Sequence, residues 1–545
     1  MYFWDAWAKS ISQGDWLNEK APHPITSWQT QVAEEVLSIS RPDLGPDALK
    51  TGEPQRALWN SWFAPKAFHQ EPLYVYMVAA TYVIAGARPS AVAVWQLLAG
   101  VISVYFVFDL AQRHFGRKAA ILAGTAAALC PLLIFYQVQL LRETLVVLAG
   151  LLIVRVTEWA LERDTPIAYG AAGIVCGLAI LAKSHFVVYP LLAGMILAWG
   201  LKKTPKRLVL RLLAGACGVL LAVSPAMARN AAVGAPLATL SANQAWGIVQ
   251  SNCDDYLRTG GYRSAHTARI LHDSGGRFFS TWRMSLATHP DWLSVLSMYA
   301  NKFRLIWHWT DVPDNSSLGY FQLHSVVLRF LPVSWGILVP IGLAGVVMSL
   351  IRKESGAPAL WPLVLMLFCS VLPMVLFATL SRFRAPLAAV LIPFAGLALV
   401  NGAQWIRARR WQPLAAAGAG MAVLLAVLSQ VPAAEPIRPT DYTVAIQFHY
   451  WPLYRQALAV GDFPRAVQVA DSVLKTEPEW IGKLGPQRRP RNDNELLLAH
   501  VFCEVREWRV DALERAGKHE QANAARAALA DLLTVLSQSD AGAGR

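Results

Sequence analysis

Eleven apolar runs alternate with short polar turns along most of this chain, at 72–88, 90–112, 119–137, 144–161, 167–182, 186–201, 207–228, 330–351, 359–380, 385–402 and 413–432. A helix rises 1.5 Å per residue, so crossing the hydrocarbon core of a bilayer takes about 17–25 apolar residues. Most of the runs predict spanning helices, and those starting at 72, 167 and 186 are marginal. Three polar stretches flank or interrupt them. Residues 1–71 are Trp-rich, with helical periodicity over Ala6–Ile11 and Val32–Ile39 and a helix-stopping segment at Pro42–Pro46; they read as an amphipathic loop on the membrane surface. Residues 229–329 form a second insertion, rich in Asn, Gly, Trp and His, and residues 433–545 a soluble tail. The transmembrane blocks are then 72–228 and 330–432. The expected fold class is an all-α polytopic membrane protein of about 10–12 spans with extracytoplasmic loops and a small soluble helical C-terminal domain.

The tail has its own rhythm. Leu453–Trp480 and Ala512–Leu533 each read as helix, Gly-containing turn and second helix. The first resembles a tetratricopeptide unit with incomplete Trp and Tyr positions. Fewer than three such units rarely make a stable solenoid, so a helical cap that packs on the membrane domain or on a protein partner is expected.

Composition agrees with the pattern: of 545 residues 55% are hydrophobic and 16% charged, with a mean hydropathy of +0.35, against roughly 25% charged in soluble domains. The net charge of +13 does not mark a nucleic-acid face. Lys and Arg gather in the turns Arg113–Lys118, Lys202–Arg211, Arg352-Lys353 and Arg407–Arg410, the pattern of cytoplasmic loops. Placing those turns inside sends Arg142-Glu143, Lys183-Ser184-His185, the insertion, Ser381–Pro386 and the tail outside. One defect remains: a full span at 72–88 would put the N-terminal loop in the cytoplasm, unless that segment is re-entrant. The six cysteines show neither metal spacing nor a disulfide framework. Met1–Leu17 is amphipathic and acidic, unlike a signal peptide.

No nucleotide-binding loop, zincin helix or nucleophile elbow occurs. The chemistry must lie in ionisable residues at helix ends, which are costly in a membrane and therefore functional candidates. The Phe115–Leu145 stretch, FGRKAAILAGTAAALCPLLIFYQVQLLRETL, is the clearest example. With FHQEPLYVYMVAATYVIAG at Phe68–Gly86, ARNAAVGAPLATLSANQAWGIVQSN at Ala228–Asn252 and SRFRAPLAAVLIPFAG at Ser381–Gly396, it resembles the GT-C membrane glycosyltransferases, close to the protein mannosyltransferase and aminoarabinose transferase group. The resemblance covers about 400 residues and leaves the tail outside.

The resemblance implies a GT-C type helical bundle in a bacterial inner membrane. It implies transfer of a sugar from a polyprenyl phosphate to a cell-envelope acceptor on the periplasmic side. Such a reaction needs a carboxylate to take the acceptor proton and cations to stabilise the departing phosphate. The family's first-loop acid aligns just before Met1, so the true start is expected upstream, with Asp5 the nearest substitute. Glu71 is the second base candidate; both have an alternative as helix N-terminal charges. Arg142, Lys183 and Arg384 are candidates for the donor phosphate. Glu143, His185 and Asn252 are candidates for the cavity or acceptor. Asp254-Asp255 reads as a solvated loop, and a divalent metal stays unassigned. A lipid-sugar flippase, an O-antigen ligase or polymerase, and a non-catalytic scaffold are the competing readings. A flippase would show paired internal repeats, which the two blocks lack.

Overall fold

The computed structural model describes residues 2–19, 27–62, 66–200, 205–256, 264–351, 359–429, 439–485, 488–490 and 493–543. Lys202 and Lys203 of one basic turn, and the Arg352-Lys353 turn, lie outside them. The described secondary structure is helical, apart from a lone bridge between Gly485 and Arg488. The chain forms two compact units: Met1–Trp309 with Pro332–Val431, and Thr310–Leu331 with Pro432–Arg545.

Pro89–Phe115, Glu143–Arg163, Pro205–Val233 and Ser381–Arg407 of the first unit are long and apolar enough to span, as is the stretch Val326–Ile351, whose first six residues belong to the second unit. Arg117–Ala128 and Pro131–Gln137 form one bent pair, turned by 50°. The bend has a cause in the sequence: Pro131 keeps Cys130 extended (ψ 111°) and removes a helical donor. Leu73–Ala85, Pro166–Ala182, Ser184–Trp199, Trp361–Leu376 and Trp411–Val427 are shorter apolar helices. The protein is thus an all-helical, multi-pass membrane protein; among the described residues five helices, or six with the bent pair, are long and apolar enough to cross a membrane, against the 10–12 expected, and five more apolar helices are shorter.

Glu143–Arg163, at 21 residues, is about 30 Å long and ties down both ends of the bundle. At its far end His114 Nε2 lies 2.7 Å from Glu158 Oε1, and Arg113 donates to Glu162 Oε1 at 2.9 Å. Arg211 pairs with Asp164 just beyond. The basic turns at Phe115–Lys118 and Arg211 therefore stand a full bilayer thickness from Arg142-Glu143. Leu73–Ala85 has only 13 residues, about 20 Å. The Tyr74 hydroxyl, in its first turn, reaches Gln96 Oε1 at 3.3 Å, two turns into Pro89–Phe115. The two helices double back as a hairpin, and at 13 residues the first is short for a full span. Tyr2–Ser12 packs on this arm through Trp4 on Tyr74 and Asp5 on Tyr82, at the same end as Arg142.

Small residues bring the helices together, as membrane packing requires where apolar surface alone gives little drive. A Cβ at Gly173 would overlap the Gly215 carbonyl, one at Gly218 the Gly170 carbonyl, and one at Gly345 the Phe394 carbonyl. Ser381–Arg407 is the most enclosed span, buried continuously over Arg384–Ala398.

The second unit is built from Pro439–Ala445, Trp451–Ala459, Phe463–Leu474, Asp493–Arg515 and His519–Ala543. Gly461 and Gly517, with φ of +73° and +72°, make the two tight turns that glycine alone adopts without strain. Asp462 caps the helix after the first turn by accepting from Arg465 N. Thr310–Leu331, which the sequence pattern leaves within the insertion, belongs to this unit. Ser317 Oγ donates to Asp441 Oδ1 at 2.8 Å, and the fully buried Tyr320 packs on Tyr442 and Tyr450. An aromatic cluster between distant segments leaves no local periodicity to read.

Candidate functional site

The site grows from three chain breaks in the first unit. Pro166–Ala182 ends when Lys183 turns extended (φ −160°, ψ 117°), and a 3₁₀ turn starts at Ser184. A new helical turn leaves its first N–H groups unpaired. Glu71, immediately before the Pro72 that opens Leu73–Ala85, supplies the acceptor: its Oε1 takes the Ser184 N–H at 2.8 Å. Its Oε2 pairs with Arg142, which caps Glu143–Arg163 and lies 5.8 Å from the Trp4 ring. The third break is at Phe377–Leu380, before Ser381–Arg407, and it presents Phe383. Lys183 Nζ sits 3.5 Å from the centre of that ring.

These groups line a cavity of about 440 Å³. Glu71, Arg142, Lys183, Ser184 and His185 form its polar wall; Val188, Met374, Leu376, Phe377 and Phe383 are prominent in its apolar wall. Gln244 and Phe278 of the insertion complete the rim. Sequence reasoning missed Ser184, Phe383, Gln244 and Phe278 as cavity residues. Ser184 acts on Glu71 through both its hydroxyl and its N–H.

The electrostatics follow from burial. Glu71 is 4% exposed. Desolvation alone would raise its pKa, but Arg142 and the Ser184 N–H hold it down at about 2. Lys183 goes the other way. Burial lowers its pKa well below the ordinary lysine value, Arg142 and Arg382 add to that, and Glu143 and Glu71 oppose it. Among the described residues no carboxylate lies within ion-pair distance of Lys183 Nζ. A desolvated cation of this kind is an anion site, because an incoming negative group relieves the penalty.

The other expected residues divide. His185 lines the cavity with its ring stacked on Phe186, and its Nδ1 has no hydrogen-bond partner among the described residues. Glu143 is 1% exposed and faces Arg382, whose Nε is 3.7 Å from Oε1. Arg384 is corrected. Its guanidinium, 2% exposed, donates to the Leu305 carbonyl at 2.5 Å and lies 5.7 Å from the Trp335 ring. Two positions on a helix are about 200° apart, so Arg382 faces Glu143 and Arg384 faces away. Asp5 is corrected too: Lys9 Nζ and the Tyr82 hydroxyl occupy its oxygens at 2.7 and 2.6 Å. Tyr82 is about 13 Å along the helix from Leu73, which keeps Asp5 out of the cavity wall. Asn252 is a buried strut. It accepts from the Tyr299 hydroxyl at 3.0 Å and Lys302 Nζ at 3.3 Å, and donates to Ile248 O. Among the described residues no group of three or more His, Cys, Asp or Glu is arranged to hold a metal ion. Asp254 contacts His266 Nε2 at 2.8 Å, and the six cysteines are free.

The family model for dolichyl-phosphate-mannose-protein mannosyltransferases matches residues 69–228. No match was found among curated proteins. The chain also superposes on two crystal structures of ArnT from Cupriavidus metallidurans, one bound to undecaprenyl phosphate and one in the apo state. TM-scores are 0.38 and 0.36, identity is 14%, and the match covers 94% of this chain and 78% of the other in both cases. At these scores the superposition carries no argument about ligands or residues. The family match spans the hairpin arm, the bent pair and the helices that supply Glu71, Arg142 and Lys183, so the segment that builds the cavity's polar wall is similar to that family of membrane mannosyltransferases.

Proposed function

We propose that this protein transfers a sugar from a polyprenyl-phosphate donor to a cell-envelope acceptor, in the inner membrane of a bacterium and on its periplasmic side. The observation that carries the reading is one cavity with a buried, anion-free lysine and an Arg–Glu pair on one wall and an apolar surface on the other. A lipid phosphate has this duality. The isoprenoid follows Leu376, Phe377 and Phe383, while the phosphate meets Lys183 and Arg142.

Arg142 presents a fork that matches phosphate oxygens, and Lys183 a point charge. Both act most strongly on the bond-breaking state, when the leaving phosphate gains charge. Glu71 is the carboxylate of the cavity wall. At neutral pH it is ionised, as a general base must be, but its pairing with Arg142 makes it weakly basic. Donor binding draws Arg142 onto the phosphate and restores that basicity, which couples proton removal from the acceptor hydroxyl to an occupied donor site. His185, with its free Nδ1, stands where it can hold an acceptor hydroxyl.

Mass spectrometry of cell-envelope glycans, with and without the protein, tests this directly. Loss of one defined sugar substituent on deletion, restored by wild type but not by Lys183→Met, is expected. An unchanged glycan profile would refute the reading.

A further inference from the structure

We propose that Glu143 is a resident competitor of the donor phosphate for Arg382, so that an acid–base pair inside the protein sets how tightly the phosphate is held. This rests on the donor-phosphate reading of the cavity. Glu143 is buried to 1% exposure, and neither of its carboxylate oxygens has a hydrogen-bond partner among the described residues. Buried carboxylates normally collect such donors, because the desolvated charge is costly without them. Two features hold this one: the N-terminus of Glu143–Arg163, whose first residue it is, and Arg382 Nε at 3.7 Å, within ion-pair range but not hydrogen-bonded to it.

Arg382 is close both to this carboxylate and to a ring that lines the cavity. Its guanidinium carbon is 4.9 Å from the centre of the Phe383 ring, the cavity-lining ring that Lys183 Nζ approaches to 3.5 Å. Three cations, Arg142, Lys183 and Arg382, thus surround the polar wall against two carboxylates. The two pairs are unequal. Glu71 engages Arg142 and also takes the Ser184 N–H, whereas Glu143 holds Arg382 without a close contact. A donor phosphodiester beside Lys183 carries one negative charge, as a carboxylate does, and offers Arg382 a bidentate partner. Arg382 turns toward it and leaves Glu143 uncompensated, which limits phosphate affinity.

A purely structural ion pair predicts the same direction of effect for loss of either partner; a competitor predicts opposite directions. The experiment titrates a polyprenyl monophosphate into the purified full-length protein in nanodiscs, with thermal melts on every variant. Arg382→Ala is expected to weaken binding about tenfold, with partial rescue by Arg382→Lys, while Glu143→Gln tightens it several-fold. Glu143→Asp, which withdraws the carboxylate by one methylene, also tightens it and serves if the Gln variant does not fold. Wild-type binding together with weaker or unchanged binding in both Glu143 variants would overturn the inference alone. No binding by wild type would overturn the donor reading and the inference with it.

Discussion

Replacing Arg142 with Ala leaves Glu71 as a buried carboxylate held by Ser184, through its hydroxyl and N–H. The magnitude follows from the pair itself. Lowering the Glu71 pKa from its ordinary 4.5 to about 2 corresponds to roughly 3 kcal/mol, at 1.36 kcal/mol per pKa unit. Breaking a buried pair by removing one partner costs a similar 3–5 kcal/mol or so. The sign is fixed by linkage: a carboxylate with a depressed folded-state pKa contributes stability above the unfolded value. That contribution disappears as pH falls from 4.5 through about 2. Wild type should therefore melt at a constant temperature between pH 7 and about 5, as far as this group decides. In Arg142→Ala the dominant remaining influence is desolvation, which raises the Glu71 pKa. The variant should melt several degrees lower at pH 7 and recover part of the loss on mild acidification, when Glu71 takes a proton. Arg142→Ala,Glu71→Gln should be more stable at pH 7 than Arg142→Ala alone. Thermal unfolding in detergent, across pH, measures all of this. An Arg142→Ala protein with the wild-type melting temperature and pH profile would refute the account of the pair.

Three further outcomes are expected. Arg384→Ala should cost about 1–3 kcal/mol by removing the charged one of the Leu305 carbonyl's two donors, the other being the His308 N–H, while polyprenyl-phosphate affinity in the folded fraction stays at the wild-type level; an affinity loss without a stability loss would place Arg384 at the phosphate. Lys302 is fully buried with a pKa lowered to about 7, burial being the main cause. The unfolded chain then binds more protons than the folded one between pH 7 and 10.5, so stability rises across that window; Lys302→Met should remove this alkaline gain and raise the melting temperature near pH 7, and a lower melting temperature would count against it. Gly173→Leu should abolish folded, monodisperse protein in detergent, because the new side chain meets the Gly215 carbonyl of the neighbouring helix; normal yield and melting would contradict that packing.

Most of the architecture is legible in the chain, because membrane helices must be apolar over a fixed length and their loops carry charge asymmetry. The Phe115–Lys118 turn and the Arg142-Glu143 pair fall at opposite ends of the bundle, as the charge pattern requires. What the pattern does not carry is direction around a helix. Arg382 and Arg384 are equivalent in SRFRAP, and only the helix rotation separates the residue facing Glu143 from the one buried on Leu305. Asp5 is outside the cavity lining for a different reason: its partner Tyr82 lies in another segment, and nothing local to MYFWDAWAKS announces it. Glu71 and Lys183 were visible as charged residues at helix ends, but the link between them, Ser184, joins segments more than a hundred residues apart, which no local pattern announces. The hairpin at 72–88 was hidden by its length, which is marginal for a span and ample for an arm.

The central claim is that Lys183 and Arg142 hold a lipid phosphate in the cavity beneath Phe383. Native mass spectrometry of the purified protein with a polyprenyl monophosphate measures it most directly, comparing wild type with Lys183→Met and Arg142→Ala. The account predicts one bound lipid per wild-type chain, displaced by a second polyprenyl phosphate but not by the corresponding alcohol, with binding lost in Lys183→Met and weakened in Arg142→Ala. Equal binding by all three proteins, or binding of the alcohol as tight as that of the phosphate, would contradict it.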